Sequence, residues 1–228
     1  MRSFAPLVLA LAWTLALGAA PPAPARACEN AVFVELSQVM RRLDHAERQL
    51  HAGRTREALA DARFVISATS GRGYPYDMDL SAPGDVARAR RLAAHARNLQ
   101  ALAVVRRDGR IDRRRWVPTS RIPETVRQDN LSWALGVLEN AARSREPLAS
   151  ARYAEALARF EPRGDEALRI LTELARTDVM PDAWGYRVLA ELADRRGDTT
   201  TRNDAITRCR ARAGDDVRVV CPSLAAVR

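Results

Sequence analysis

Residues 156–198 read ALARFEPRGDEALRILTELARTDVMPDAWGYRVLAELADRRGD, and this stretch decides the fold. The tripeptide Arg163-Gly164-Asp165 returns as Arg196-Gly197-Asp198, 33 residues later. Each copy follows one helical pattern and precedes another. Glycine there is expected to relieve the backbone where a helix stops. The spacing places helices over about 165–177, 182–196 and 200–213, joined by short turns. Both tripeptides occupy turn positions, so turn chemistry accounts for them without an adhesion receptor.

The same pattern extends toward the N-terminus. Val32, Leu36, Val39, Leu43, Ala46 and Leu50 recur at spacings of four and three, one apolar seam on a helix that Gly53 ends. A second helix carries Ala58, Leu59, Ala62, Val65 and Ile66 on one face. The short connection implies an antiparallel hairpin. After the loop 69–84, a third helix over about 85–107 buries Val86, Ala89, Ala93, Ala96, Leu99 and Ala103. A fourth, about 124–143, buries Val126, Leu131, Leu135 and Leu138. A fifth starts near Pro147, a residue suited to a first helical turn. Alternating apolar and polar residues are missing until the tail, where Val217, Val219 and Val220 read as extended. The expected class is all-α, built of antiparallel helical hairpins.

The stretch 156–198 resembles tetratricopeptide repeats, whose period is 34 residues. Residues 46–62, AERQLHAGRTREALADA, look like a further copy, with Gly53-Arg54 followed by Glu57-Ala58-Leu59 at the turn into the second helix. The aromatic positions are mostly absent, and the small residue comes late after Gly197 and early after Gly164. The resemblance covers about half of residues 28–228. It implies a hairpin array whose concave face binds peptides or proteins, and it carries over no catalytic residue. An irregular helical bundle is the alternative architecture.

Residues 1–27 have the layout of a secretory signal: Arg2, the apolar run LVLALAWTLALGAA from Leu7 to Ala20, and an Ala25-Arg26-Ala27 cleavage site. The expected product is a single helical domain, 28–228, in the periplasm or outside the cell. Its parts are N-terminal helices (28–107), a basic loop (108–123) and C-terminal helical repeats (124–228). Cleavage would leave Cys28 first. A lipid on Cys28 would tether the protein, but Arg26 stands where a lipidation signal needs a small residue. Membrane contact is expected only through a lipidated Cys28 or an uncleaved signal. In an oxidising compartment Cys209 and Cys221 are the candidate disulfide, which leaves Cys28 lipidated, free or intermolecular; all three reduced is the alternative.

Chemistry is sparse. The histidines are His45, His51 and His95, and the first two, six apart, do not share a helical face as metal ligands would. No HExxH, GxSxG or phosphate-loop motif occurs. The stretch Asp77-Met78-Asp79-Leu80-Ser81 starts like a calcium loop, yet Ala82 and Arg88 stand where glycine and glutamate are required. No catalytic residue, metal or cofactor is expected.

The unusual feature is charge. The chain of 228 residues has net charge +9, and all 37 of its basic residues are arginine. A GC-rich genome explains arginine in place of lysine, but not clustering. Residues 106–127 hold eight arginines against three acids. Arg106, Arg107, Arg110, Arg113, Arg114 and Arg115, with Trp116 among them, are the candidate binding residues. Such a cluster can bind anionic lipid, acidic polysaccharide or an acidic protein. Export argues against nucleic acid.

Overall fold

The computed structural model describes residues 32–70, 76–81 and 83–221. The signal segment 1–27, Cys28 and the loop residues 71–75 lie outside that range. Among the described residues the chain is all-α. Its longer helices are α1 (Leu36–His51), α2 (Thr55–Ala68), α3 (Asp85–Arg106), α4 (Glu124–Ala142), α5 (Pro147–Leu157), α6 (Gly164–Arg176), α7 (Ala183–Arg195) and α8 (Thr199–Ala213). None of them is long and apolar enough to cross a membrane.

Each helix packs on the next, which makes four hairpins: α1–α2, α3–α4, α5–α6 and α7–α8. The first helices of these hairpins also pack in series, α1 on α3, α3 on α5 and α5 on α7. The seams expected from periodicity are buried at Val39, Leu43, Ala46 and Leu50 in α1 and at Ala58, Leu59, Ala62 and Val65 in α2. Caps fit the sequence. The Asp182 carboxylate accepts from the Gly185 N–H, and that of Asp198 from the Thr201 N–H, starting α7 and α8.

Several expectations need correction. Val32 does not belong to the first helix. Strand β1 (Val32–Val34) pairs in parallel with β2 (Tyr76–Met78), in register Val32↔Tyr76 to Val34↔Met78. The Val-Phe-Val run favours a strand once a partner is at hand. The segment 108–123 is a loop closed by a small hairpin, β3 (Ile111–Asp112) antiparallel to β4 (Val117–Pro118). Val86 and Val126, in the first turns of α3 and α4, are exposed rather than buried. From Leu99 to Val105, by contrast, every residue of α3 is buried. There α3 is enclosed by α1, α2, α4 and α5.

The tail is helical rather than extended. After a 3-10 turn at Gly214–Asp216 it forms α9 (Val217–Val220). Cys209 and Cys221 meet at disulfide-bonding distance, their Cα atoms 6.1 Å apart. That link draws α9 back over α7 and α8. The two Arg-Gly-Asp copies are not equivalent. Gly164 opens α6 in helical conformation, whereas Gly197 sits in the α7–α8 turn with φ +72°. Arg196 of the second copy forms an ion pair with Asp165 of the first.

Candidate functional site

The basic hairpin is positioned by α4. The Asn130 amide, 2% exposed, donates to the carbonyls of Gly109 and Ile111, both at 2.8 Å. Gly109 has φ +74°, and a Cβ there would stand 2.5 Å from the Arg127 carbonyl oxygen, so only glycine permits this approach. At the tip, the Asp112 carboxylate accepts from the backbone N–H groups of Arg114 and Arg115. Trp116 is held at φ +55° and packs against Trp133, with ring centroids 5.5 Å apart. Arg113 lies over Trp133 at 4.2 Å and near Trp116 at 5.9 Å. Burial on these rings pushes its guanidinium below the ordinary value.

The candidate residues therefore separate. Arg107, Arg110, Arg114 and Arg115 are exposed. Arg113 and Trp116 are half-buried in the packing that holds the hairpin. Arg127 is tied to Asp108 at 2.9 Å and Glu124 at 2.6 Å. Hydrogen bonds from Arg127 and Gln128 hold Glu124 down at about 2, so this neutralising charge persists at neutral pH. Arg106 is the clear correction. Its side chain is 1% exposed and belongs to the interior, not to a basic surface.

Arg106 joins all four serial helices. Its Nε and Nη2 donate to the two carboxylate oxygens of Glu155 on α5, each at 2.9 Å. Nη2 also reaches Asp182, the cap of α7, at 3.0 Å, and Nη1 donates to the Leu50 carbonyl at the end of α1. The guanidinium lies 4.6 Å from the Trp184 ring centroid, and the Trp184 indole N–H donates to the His51 carbonyl. The end of α1 thus meets the start of α7, and the array closes around a buried ion network. Arg152 of α5 pairs with Glu47 of α1, which also faces His95 of α3 at 3.6 Å. The periodicity of each helix contains no signal for this closure. Its members look like ordinary surface charges when each helix is read alone.

Titration follows from the geometry. Burial lowers His51, reinforced by Arg106 and Arg152 against Asp182 and Glu47. Burial also lowers His95, with Arg152 adding to the effect and Glu47 and Asp44 opposing it. Burial pushes Glu47 and Asp182 upward, but Arg152 and Arg106 respectively bring them below the ordinary range. For Glu155 burial prevails over the pull of Arg106, and its pKa is raised.

Lowered histidines bind fewer protons folded than unfolded. Their contribution is complete above the unfolded value of about 6.5 and is lost as pH falls from there through the lower folded value. The lowered carboxylates add a second loss below about pH 4, while raised Glu155 acts in the opposite sense. The melting temperature is expected to fall as pH drops from 7 toward 5. A His51→Gln/His95→Gln variant should flatten that fall. Parallel melting curves for the two proteins across this range would rule the histidines out.

Two other groups carry less. His45 Nδ1 lies 2.5 Å from Asp61, as in half of a general-base pair. Its Nε2 faces the Gln49 amide at 2.7 Å, so neither ring nitrogen is turned to a substrate. Asp79 accepts from the Ser81 N–H. Among the described residues no three His, Cys, Asp or Glu side chains gather as metal ligands.

Charge is strongly segregated along the chain. Residues 52–123 hold fifteen arginines and seven acids, whereas 124–228 hold seventeen of each. In comparisons with known proteins, no family model, curated protein or solved structure matches this chain.

Proposed function

We propose that this chain is a non-catalytic binding module, an exported tetratricopeptide-like hairpin array serving as an interaction scaffold in the cell envelope. The observation that carries the reading is the serial packing of α1, α3, α5 and α7, each backed by its hairpin partner. Repeated hairpins of this kind present extended surfaces for partners. Near the α1–α7 junction the face formed by these helices is filled by its own ion network, which leaves the outer surfaces for a partner. Export rests on the three-part signal in residues 1–27.

A second reading is favoured by the charge segregation. The exposed Arg107, Arg110, Arg114 and Arg115 would contact an anionic envelope component. Salt separates the two readings, because exposed charges are screened over about 8 Å at physiological ionic strength. The test uses the chain from Cys28 onward to capture partners from envelope extract, then measures saturable binding of each purified partner. A protein partner that binds stoichiometrically, is insensitive to moderate salt and tolerates Arg110→Ala/Arg114→Ala/Arg115→Ala supports the scaffold. Binding that collapses with salt and with that variant supports the second reading. No saturable partner under either condition rejects both.

A further inference from the structure

We propose that the cleft between α2 and α3 binds a segment of acidic polysaccharide, with its carboxylates on Arg63, Arg90 and Arg97. This deepens the second reading above and rests on it. The cleft has a volume of about 610 Å³. Among the described residues no carboxylate lines it, and its three arginines are all exposed. It lies within the segment that carries the excess charge.

The arginines occupy both walls. Arg63 projects from α2, and its Nη1 donates to the Arg115 carbonyl at 3.2 Å, which ties the cleft to the basic hairpin. Arg90 and Arg97 are seven residues apart on α3. They are therefore on one face, about 10 Å apart along the axis. A short charged oligomer spans that distance. A guanidinium presents two parallel N–H groups to a carboxylate, which gives direction as well as charge.

The neutral groups distinguish the ligand class. The Thr69 hydroxyl donates to the Val65 carbonyl at 2.7 Å, and the Ser70 hydroxyl to the Ser67 carbonyl at 2.8 Å. Both hydroxyls are thus engaged with the end of α2, and Thr69 is only 8% exposed, so recognition falls to the arginines and the apolar lining. Ile66 and Ala93 give the cleft an apolar surface for the C–H faces of sugar rings, and polyphosphate has no such faces. A recessed site with guanidiniums on both walls suits a narrow chain better than the flat face of a bilayer.

The test is a titration of the chain from Cys28 onward, at low salt, with a uronate hexasaccharide. A neutral hexasaccharide, polyphosphate of matched charge and anionic phospholipid vesicles serve as comparators. The uronate should bind and the neutral sugar should not. Arg90→Ala/Arg97→Ala should weaken uronate binding by roughly tenfold or more, the loss of charge-assisted hydrogen bonds. Arg90→Lys/Arg97→Lys should recover only part of it. Arg110→Ala/Arg114→Ala on the hairpin should weaken binding as well, because the hairpin adjoins the cleft through Arg63. Thermal melts of each variant check the fold, and Arg63→Ala probes the opposite wall independently. Uronate binding that depends on the hairpin alone overturns the cleft and leaves the second reading standing. Polyphosphate or vesicles bound as tightly as uronate overturn the ligand class. If no polyanion binds, both the cleft and the second reading fall.

Discussion

Replacing Arg106 with methionine is expected to destabilise the protein by about 3–5 kcal/mol, the usual loss when one partner of a buried ion network is removed. For a domain of this size that is a fall of roughly 6–20 °C in melting temperature. The cause is specific. Glu155 is 1% exposed and would be left with its carboxylate buried and both Arg106 hydrogen bonds gone. Asp182 would keep its cap on α7 but lose its cation. The Leu50 carbonyl would lose a donor. Methionine preserves much of the side-chain volume, so packing alone predicts a small effect. Adding Glu155→Met should restore part of the loss, because one of the two orphaned charges is then gone while Asp182 still lacks its cation. If the single variant melts within a degree or two of the parent, the network does not hold the array closed. If the double variant melts as low as the single, packing and not charge is responsible.

The second large effect concerns the tail. A Cys221→Ser variant is expected to lose about 3 kcal/mol, the chain-entropy contribution of a link closing a loop of this size. That corresponds to roughly 6–12 °C. The tail also spans the closure. Val220 is buried at 1% exposure, and Val219 stands so close to Gly53 that a Cβ on that glycine would lie 2.6 Å from it. Freed from α8, α9 should leave both the α1–α2 turn and the flank of α7. Limited proteolysis should then cut after Arg212 or Arg218 well before the helical core is touched. Unchanged proteolysis together with an unchanged melting temperature would show that α9 is held by its apolar contacts alone.

The contrast between α1 and α3 shows how far periodicity reaches. The seam of α1 from Val39 to Leu50 is buried where its spacing put it. Helix α3 has a stripe only in its first part. Its last two turns are buried all round, because helices on every side enclose them. Local pattern records one apolar face and cannot count neighbours. The strand β1 was hidden for a similar reason, since its partner β2 begins more than forty residues downstream. The candidate site divides in the same way. The cluster at 106–115 was visible as charge density, but nothing in it distinguishes interior Arg106 from Arg107 beside it. That distinction depends on Glu155 and Asp182, which come 49 and 76 positions later.

By itself the sequence determined the helical class, the hairpin order, the candidate cysteine pair and the concentration of arginine. Each of these follows from spacing along the chain, from cysteine count or from composition. Only the tertiary structure decided that the hairpins close on themselves, that Arg106 becomes the centre of that closure, and that the α2–α3 cleft has arginine on both walls. Closure requires charges from four helices to meet at one point. Buried ions are tolerated only when each has its partner in place. Whether an arginine is a surface charge or a keystone therefore depends on where its partners stand, a property of distance in space that is absent from its own neighbourhood in the chain.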